Sequence, residues 1–493
     1  MILLKYNYKR IFASVLTLAI ISCSNPWDER ENNGDSNLEN NLTEAITNTT
    51  ETTEFAQLLV ETGYDTILAT SKSYTVFAPN NAAMADVDNT ILSNPELLKQ
   101  FVANHVALTT FSSIRSSDET QIKMFTNKYL IFKGKAMIDD ATIVSSDHYA
   151  ANGVFHIISK ALTPKLNIWQ YVASQAGNFE TSDYLLSLKE FNIYQSDSIG
   201  KAVSQTNGVG YVADSLTNSY LKNVYNLNNE KNSYTLFLMQ DDGYNEEVNK
   251  MKPYLIKKSN TTLDSTAIYA KYFTLRDMAF IKKYERNVLP DTLVSRFGVK
   301  VPVDKTQIVD EIHLSNGIVY VMKKVVVPLE KRLLTTHIEG ENNDSYFNFP
   351  RARLFYRDKK DLSGLLFQDI MVQDPGAALP IIGYSAKDFY STSYKVYWKA
   401  INDRQTNTFQ QRITLAGKLE IINEKTFPAD IIKQLPYTDV PPNFYGEVFV
   451  GEFTLTEARD IDLIWLIGAD IATNGNNSLT LDYLKLVPQV KKP

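Results

Sequence analysis

With 493 residues, 44% of them hydrophobic and 22% charged, the chain has the length and composition of about three globular domains of ~150 residues each. A net charge of −6 gives no reason to expect nucleic acid, which needs clustered Lys and Arg to displace counterions. The single cysteine excludes an intrachain disulfide, so stability has to come from packing.

In chain order, Lys5, Lys9 and Arg10 precede an apolar run from Ile11 to Ile21. That pattern predicts a secretory signal over residues 1–22, too short to span the ~30 Å of a bilayer core as a stable helix. Its ending, "IISC", resembles the lipobox of bacterial lipoproteins, which implies palmitate-type lipidation at Cys23. Residues 23–40 read as a disordered tether, with no apolar residue between Asp28 and Asn37. The pair Asp28–Glu29 resembles an export signal to the exterior face of a bacterial outer membrane. The expected location is therefore the outer membrane, with the rest of the chain hanging outside from its lipid.

Two motifs then recur in order. "SYTVFAPNNAAM" (Ser73–Met84) returns as "SYTLFLMQDDGYN" (Ser233–Asn245), and "ANGVFHIISKALTP" (Ala151–Pro164) returns as "SNGIVYVMKKVVVP" (Ser315–Pro328). The near-equal separation predicts a tandem repeat of strands and helices. "EFAQLLVETGY" and "NIWQYVASQAG" carry helical spacing ahead of each first motif, and "PELLKQFVANHVAL" and "LRDMAFIKKYERNVL" carry it between motifs. Pro95 suits an early helix position, and each Asn-Gly dipeptide suits a hairpin turn with positive φ.

These stretches resemble the fasciclin domain family: "TVFAPNNAAM" its first signature, "AMIDDATIVSSDHYAANGVFHIISKALTP" its second, and "NHVAL" its central His motif. The resemblance implies two α+β fasciclin-like β-wedge domains at 41–164 and 165–330, the second divergent, with adhesion or ligand binding rather than catalysis. Aligning Asn-Gly with Asn-Gly sets Tyr320 opposite His156; aligning Phe101–Val102 with Phe280–Ile281 sets Tyr284 opposite His105. Tyrosine keeps aromatic bulk and a hydrogen-bonding tip but loses imidazole chemistry. His105, His156, Tyr284 and Tyr320 are therefore expected to be structural core, with the two histidines hydrogen-bonded to each other and no metal site or cofactor.

Residues 331–493 read as short strands between turn signals, an all-β sandwich whose ending, "NNSLTLDYLKLVPQ", resembles jelly-roll carbohydrate-binding modules and galactose-binding-like domains. In "YKVYWKAI", Trp398 shares a face with Tyr394 and Val396, and Tyr397 shares one with Lys395 and Lys399. Tyr397 is the better ligand-binding candidate and Trp398 the second, since sugar faces stack on aromatic rings; Trp465 reads as core. Asp470, Asn474, Asn476 and Asn477 have Ca²⁺-type oxygens but read more simply as turn residues.

No GxSxG, Walker, HExxH or CxxC motif occurs, and no carboxylate pair stands out among 56 acidic residues. Three functions remain open. The first is a non-enzymatic lipoprotein capturing glycan or another nutrient beside an outer-membrane transporter. The second is an adhesion or scaffold protein binding matrix or neighbouring surface proteins. The third is a hydrolase within the sandwich.

Overall fold

The computed structural model describes residues 39–493 except 70–72, 116–118, 189–217, 259–263, 376–378, 423, 470–477 and 492–493. The expected signal, Cys23 and nearly all of the tether lie outside the described residues, as do Asp470, Asn474, Asn476 and Asn477. Among the described residues no helix is long and apolar enough to cross a membrane. Two compact units divide the chain, Met1–Leu166 and Asn167–Pro493.

In the first unit Asn41 opens helix α1 (Leu42–Thr47) with a reciprocal cap. Its Oδ1 accepts the Glu44 N–H at 3.0 Å, and Glu44 Oε2 accepts the Asn41 N–H at 2.9 Å. Helices α2 (Thr53–Glu61), α3 (Tyr64–Leu68), α4 (Asn81–Ala85), α5 (Asn89–Leu92) and α6 (Pro95–Ala103) follow. Pro95 stands at the start of α6, as expected, behind an Asn94 cap. Strands β1 (Tyr74–Pro79), β2 (Val106–Ala107), β3 (Thr120–Lys123), β4 (Tyr129–Phe132), β5 (Met137–Ile138), β6 (Ala141–Ala150) and β7 (Gly153–Ile158) form one sheet in the order β2-β1-β7-β6-β5-β4-β3. β1 runs parallel to β7 and is buried on both faces. Tyr74, Val76 and Ala78 meet Phe55, Leu59 and Phe101, while Phe77 points the other way to Ile122, Phe132 and Ile158. A bridge between Ala107 and Met124 draws the two ends of the sheet together around this second core.

The second unit begins with α7 (Ile168–Ser174), α8 (Glu180–Ser187) and α9 (Ser219–Asn223), then β8 (Tyr234–Met239), α10 (Asp241–Met251), α11 (Thr266–Leu275) and β9 (Ala279–Ile281). The hairpins β10 (Thr292–Val294)–β11 (Lys300–Pro302) and β12 (Ile308–Leu314)–β13 (Gly317–Met322) follow. Asn167 and Gln170 form the same reciprocal cap as Asn41 and Glu44. β8 runs parallel to β13 from Tyr234–Gly317 onward, as β1 runs parallel to β7 from Tyr74–Gly153. Two expectations need correction. α7 corresponds to α1 and not to "EFAQLLVETGY", which forms α2. The stretch "LRDMAFIKKYERNVL" holds strand β9 instead of a helix, because Phe280 pairs with Thr235 and Ala279 with Leu236; the helix lies just upstream as α11.

As expected, each Asn-Gly dipeptide sits at a hairpin with positive φ at its glycine, 157° for Gly153 and 149° for Gly317. Gly153 and Gly317 already belong to their strands, opposite Ala150 and Leu314, so the turn residues are Ala151–Asn152 and Ser315–Asn316. Glycine is needed for space: a Cβ would lie 2.1 Å from Tyr74 O in one case and 2.0 Å from Tyr234 O in the other. Asparagine ties three segments together. Asn152 Oδ1 accepts the Leu42 N–H at 2.8 Å, and its amide donates to Leu68 O. Asn316 Oδ1 accepts the Ile168 N–H at 2.9 Å, and its amide donates to Leu227 O at 2.8 Å.

After α12 (Leu329–Arg332) the described residues form strands, apart from one 3-10 turn at Arg351–Arg353: β14 (Thr336–Glu339), β15 (Ser345–Phe347), β16 (Leu354–Lys360), β17 (Leu366–Val372), β18 (Ile381–Phe389), β19 (Ser393–Lys399), β20 (Phe409–Ile422), β21 (Lys425–Gln434), β22 (Thr438–Val440), β23 (Val448–Thr454), β24 (Arg459–Gly468), β25 (Leu479–Leu481) and β26 (Tyr483–Pro488). One sheet has the order β14-β26-β19-β23, a second β15-β18-β24-β20-β21 with β22 on β20, and a third, smaller one β16-β17-β25. Trp398, Val396, Leu484 and Leu486 from the first fill a core with Ile413, Leu415, Ile464 and Leu466 from the second. Trp465 is buried on the opposite face of the larger sheet with Ile381 and Ile467.

One continuous core joins these sheets to residues 167–328. The Ser391 N–H donates to Tyr254 O at 2.7 Å and the Ala458 N–H to Ile256 O at 2.8 Å. Arg276 Nη1 meets Asp388 Oδ2 at 2.7 Å. Buried Arg332 stands between Glu247 Oε2 at 3.2 Å and Asp277 Oδ2 at 3.5 Å, and Ser295 Oγ donates to Asp277 at 2.7 Å. Burial pushes the Asp277 carboxyl up, with Arg276 and Arg332 opposing it.

Gly153→Ala and Gly317→Ala are each expected to cost about 3 kcal/mol or more, because backbone oxygen blocks the added methyl; urea unfolding of the full chain measures this, and unchanged midpoints would refute it. Arg332→Met should cost about 3–5 kcal/mol by leaving Glu247 and Asp277 buried without their shared cation; thermal unfolding of the variant beside the parent checks it.

Candidate functional site

The two histidines singled out by sequence are buried in the first unit, and each bonds backbone. The expected bond between them is not formed. His105 Nδ1 donates to Phe101 O at 2.8 Å, and its Nε2 accepts the Leu162 N–H at 2.8 Å. His156 Nδ1 accepts the Asp147 N–H at 3.2 Å, so its Nε2 carries the proton and donates to Phe111 O at 2.9 Å. Both nitrogens of both rings are thus spent on backbone. Burial pushes the His105 imidazole down to about 4 and lowers that of His156.

His156 and Tyr320 do occupy matching places. Phe77 pairs with His156, and Phe237 pairs with Tyr320. Tyr320 OH donates to Tyr284 O at 2.8 Å, as His156 donates to Phe111 O. Tyr284 therefore matches Phe111, and the expected match to His105 is wrong. The Phe77 N–H donates to His105 O and the Phe237 N–H to Met278 O, which sets Met278 opposite His105. Phe101–Val102 lies in a helix and Phe280–Ile281 in a strand, so aligning them shifted the register. Tyr284 is only partly buried, and its backbone serves the core.

The open surface with convergent aromatic and polar groups is the outward face of the β14-β26-β19-β23 sheet. Strand period sends Tyr394, Val396 and Trp398 inward and Lys395, Tyr397 and Lys399 outward. Trp398 is 0% exposed and offers no ring face to a ligand, which corrects its place among the binding candidates. Register sets Phe449 opposite Tyr397, Tyr397 opposite Lys485, and Lys485 opposite His337, one row across all four strands. The Tyr397 and Phe449 rings lie 5.4 Å apart, with Phe449 49% exposed. His337 lies 4.5 Å from the Tyr483 ring, and Lys485 Nζ sits 5.0 Å over Tyr397. Lys485 Nζ also donates to Glu447 Oε1 at 2.6 Å, and Tyr483 OH donates to Glu447 Oε2 at 3.2 Å. Burial and the Glu447 charge push the Tyr483 phenol up to about 12, so it remains a donor at neutral pH.

Two clefts lie elsewhere in the second unit. One of 220 Å³, lined by Gln373, Asn402, Asp403 and Arg404 among others, is small for a drug-sized ligand. One of 570 Å³ beside α10 mixes Asp241, Asp242 and Glu246 with Lys323 and Lys324, leaving Phe179 as its aromatic wall. Among the described residues one group of metal-type side chains converges, Glu285, Glu311 and His313.

Comparison with known proteins places a Fasciclin domain at residues 50–164. Over 107 residues the chain is 28% identical to Protein sll1483 of Synechocystis sp., spanning 20% of this chain and 59% of that protein, less than two thirds of its length. Among solved structures, a FAS1 domain pair from the insect cell adhesion molecule Fasciclin I is 15% identical, with 58% of this chain and 99% of that one covered, at a TM-score of 0.23. A CBM6 module of a Zobellia galactanivorans laminarinase is 11% identical over 31% of this chain and 99% of its own, at 0.19. A family 35 carbohydrate-binding module from Clostridium thermocellum is 15% identical over 32% and 99%, at 0.21. Likenesses this slight add nothing to the fold, which rests on the strand pairings above.

Acidification tests the histidine assignment. An imidazole held below its unfolded value near 6.5 gains its proton on unfolding at any pH between the two values. Stability is therefore complete above pH 6.5 and declines as pH falls toward 4, by about 3 kcal/mol from His105. His156, lowered by burial as well, adds to the decline; His156→Tyr should keep a donor to Phe111 O, as Tyr320 donates to Tyr284 O, and remove that added part. Thermal unfolding of the full chain from pH 7 to 4.5 reads this, and an unaltered slope would reject a neutral buried His156.

Proposed function

We propose that this protein is a non-enzymatic lipoprotein, lipidated at Cys23 on the outer membrane of a bacterium and facing the exterior, that holds glycan on the outward face of the β14-β26-β19-β23 sheet. Residues 165–330 are a second, divergent fasciclin-type domain, and the protein works beside an outer-membrane uptake transporter. The repeated domain is supported by the matching caps, parallel strand pairs, Asn-Gly bonds and the His156–Tyr320 exchange.

The observation that carries glycan binding is the row Phe449–Tyr397–Lys485–His337 beside Tyr483 and Glu447. Aromatic faces stack against the apolar face of a pyranose, and Lys, Glu and phenol groups next to them match its hydroxyls. A broad sheet face suits a saccharide chain laid across it. Adhesion to matrix or a neighbouring surface protein is the second reading, favoured by the Fasciclin domain at residues 50–164.

A glycan array with the full chain separates the two readings. Tyr397→Ala and Phe449→Ala are expected to weaken glycan binding at least about tenfold, roughly the loss of one stacked ring at ~1.5 kcal/mol, with the melting temperature held. Trp398→Ala, from the core, should instead lower the melting temperature. Retention of glycan by both surface variants would remove the sheet face from the account, and retention of a surface protein with no glycan bound would favour adhesion.

A further inference from the structure

Glu311 and His313 alternate on β12 and so project to the same side, while Glu285 reaches them from the loop after β9. His313 Nε2 lies 3.0 Å from Glu311 Oε1, and its Nδ1 lies 3.7 Å from Glu285 Oε2. One donor atom from each of the three lies within 4.8 Å of the others. The loop that presents Glu285 is held by its neighbour: the Tyr284 N–H donates to Thr235 Oγ1 at 3.0 Å, and Tyr284 O accepts from Tyr320 OH at 2.8 Å. The backbone that presents Glu285 is therefore held in place.

A neutral imidazole has one N–H and cannot donate to a carboxylate on each side. Lys283 is spent on the other oxygen of Glu285, at 2.8 Å. The matching place in the first unit is closed differently. Thr75 bonds Phe111 as Thr235 bonds Tyr284, so Ser112 matches Glu285; Tyr149 pairs with Val154 as His313 pairs with Ile318. There Ser112 Oγ bonds Tyr149 OH at 3.1 Å and Asp147 Oδ1 at 3.1 Å, a set satisfied by its own hydroxyls. In the second unit the hydroxyls are gone, and three metal-type ligands stand in their place.

We propose that Glu285, Glu311 and His313 bind a divalent transition-metal ion of the Zn²⁺ class. One imidazole nitrogen and two carboxylates are a three-ligand N/O set that Zn²⁺ completes with water. Ca²⁺, which takes six to eight oxygens, is poorly served by it. The comparison with Ser112 and Tyr149 rests on reading residues 167–328 as a second copy of the first domain; the convergence of the three ligands does not. This surface is separate from the glycan face, so either assignment can fail without the other.

Titration calorimetry of the full chain with ZnCl₂, after removal of metal by chelation, tests the site. One equivalent is expected to bind, to be lost or weakened at least about tenfold in His313→Gln and in Glu285→Gln, and to be absent with CaCl₂. Co²⁺ in place of Zn²⁺ should give visible absorption that His313→Gln removes. Absence of Zn²⁺ binding in the parent chain, or equal binding in both variants with unchanged circular dichroism, overturns the assignment.

Discussion

The Asn-Gly dipeptide at the head of β7 and β13 is the constraint on which the parallel strand pairs β1–β7 and β8–β13 depend. Parallel strands have no hairpin to set their register, so something else has to fix where one begins against the other. Here the asparagine side chain does so, taking a helix N-terminal N–H on one side and giving its amide on the other to a carbonyl, that of Leu68 at the end of α3 or that of Leu227 in a loop. Glycine follows because the first carbonyl of the partner strand fills the space of a Cβ. With β13 fixed in this way, the antiparallel β12 takes its register from Leu314–Gly317, which sets Glu311 opposite Tyr320 and His313 opposite Ile318.

The exchange of His156 for Tyr320 shows a constraint on hydrogen bonding and not on residue type. A backbone carbonyl, Phe111 O or Tyr284 O, points into the core and needs a donor from the neighbouring strand. An imidazole N–H and a phenol O–H both reach it. The imidazole also satisfies the Asp147 N–H, at the bulge where β6 slips against β7. The same position can therefore be a depressed histidine in one unit and a tyrosine in the other, with no change of chemistry implied.

Strand periodicity and turn signals made the order of elements legible from Tyr74 onward, including the switch to an all-β region, because those signals are local. The burial of Trp465, in a run apolar on both faces, and the outward place of Tyr397 follow from the same local reasoning. The errors came from longer range. Matching helix α6 to strand β9 rested on a shared apolar dipeptide, and hydrophobicity alone does not separate a short buried strand from a helix. The merger of residues 167–328 with the sandwich was hidden for another reason: Glu247, Asp277 and Arg332 are charged, and it takes their pairing with one another and with Lys250 and Ser295 to admit them inside. The sheet-face row needed four registers at once, and the Glu285 cluster needed a loop from outside its strand.

Strand β19 shows how the sandwich joins stability to display. Its inward residues, Tyr394, Val396 and Trp398, are fully buried, so any slip of one position would expose all three and bury Lys395, Tyr397 and Lys399. The penalty for such a slip fixes the outward row as firmly as the core. β23 and β26 are each paired to β19, so Phe449, Lys485 and Tyr483 inherit their positions from Trp398 and not from one another. A surface assembled from separate strands gains its rigidity from the core beneath it, which is why the residues that would touch a ligand here need no pocket walls to hold them in place.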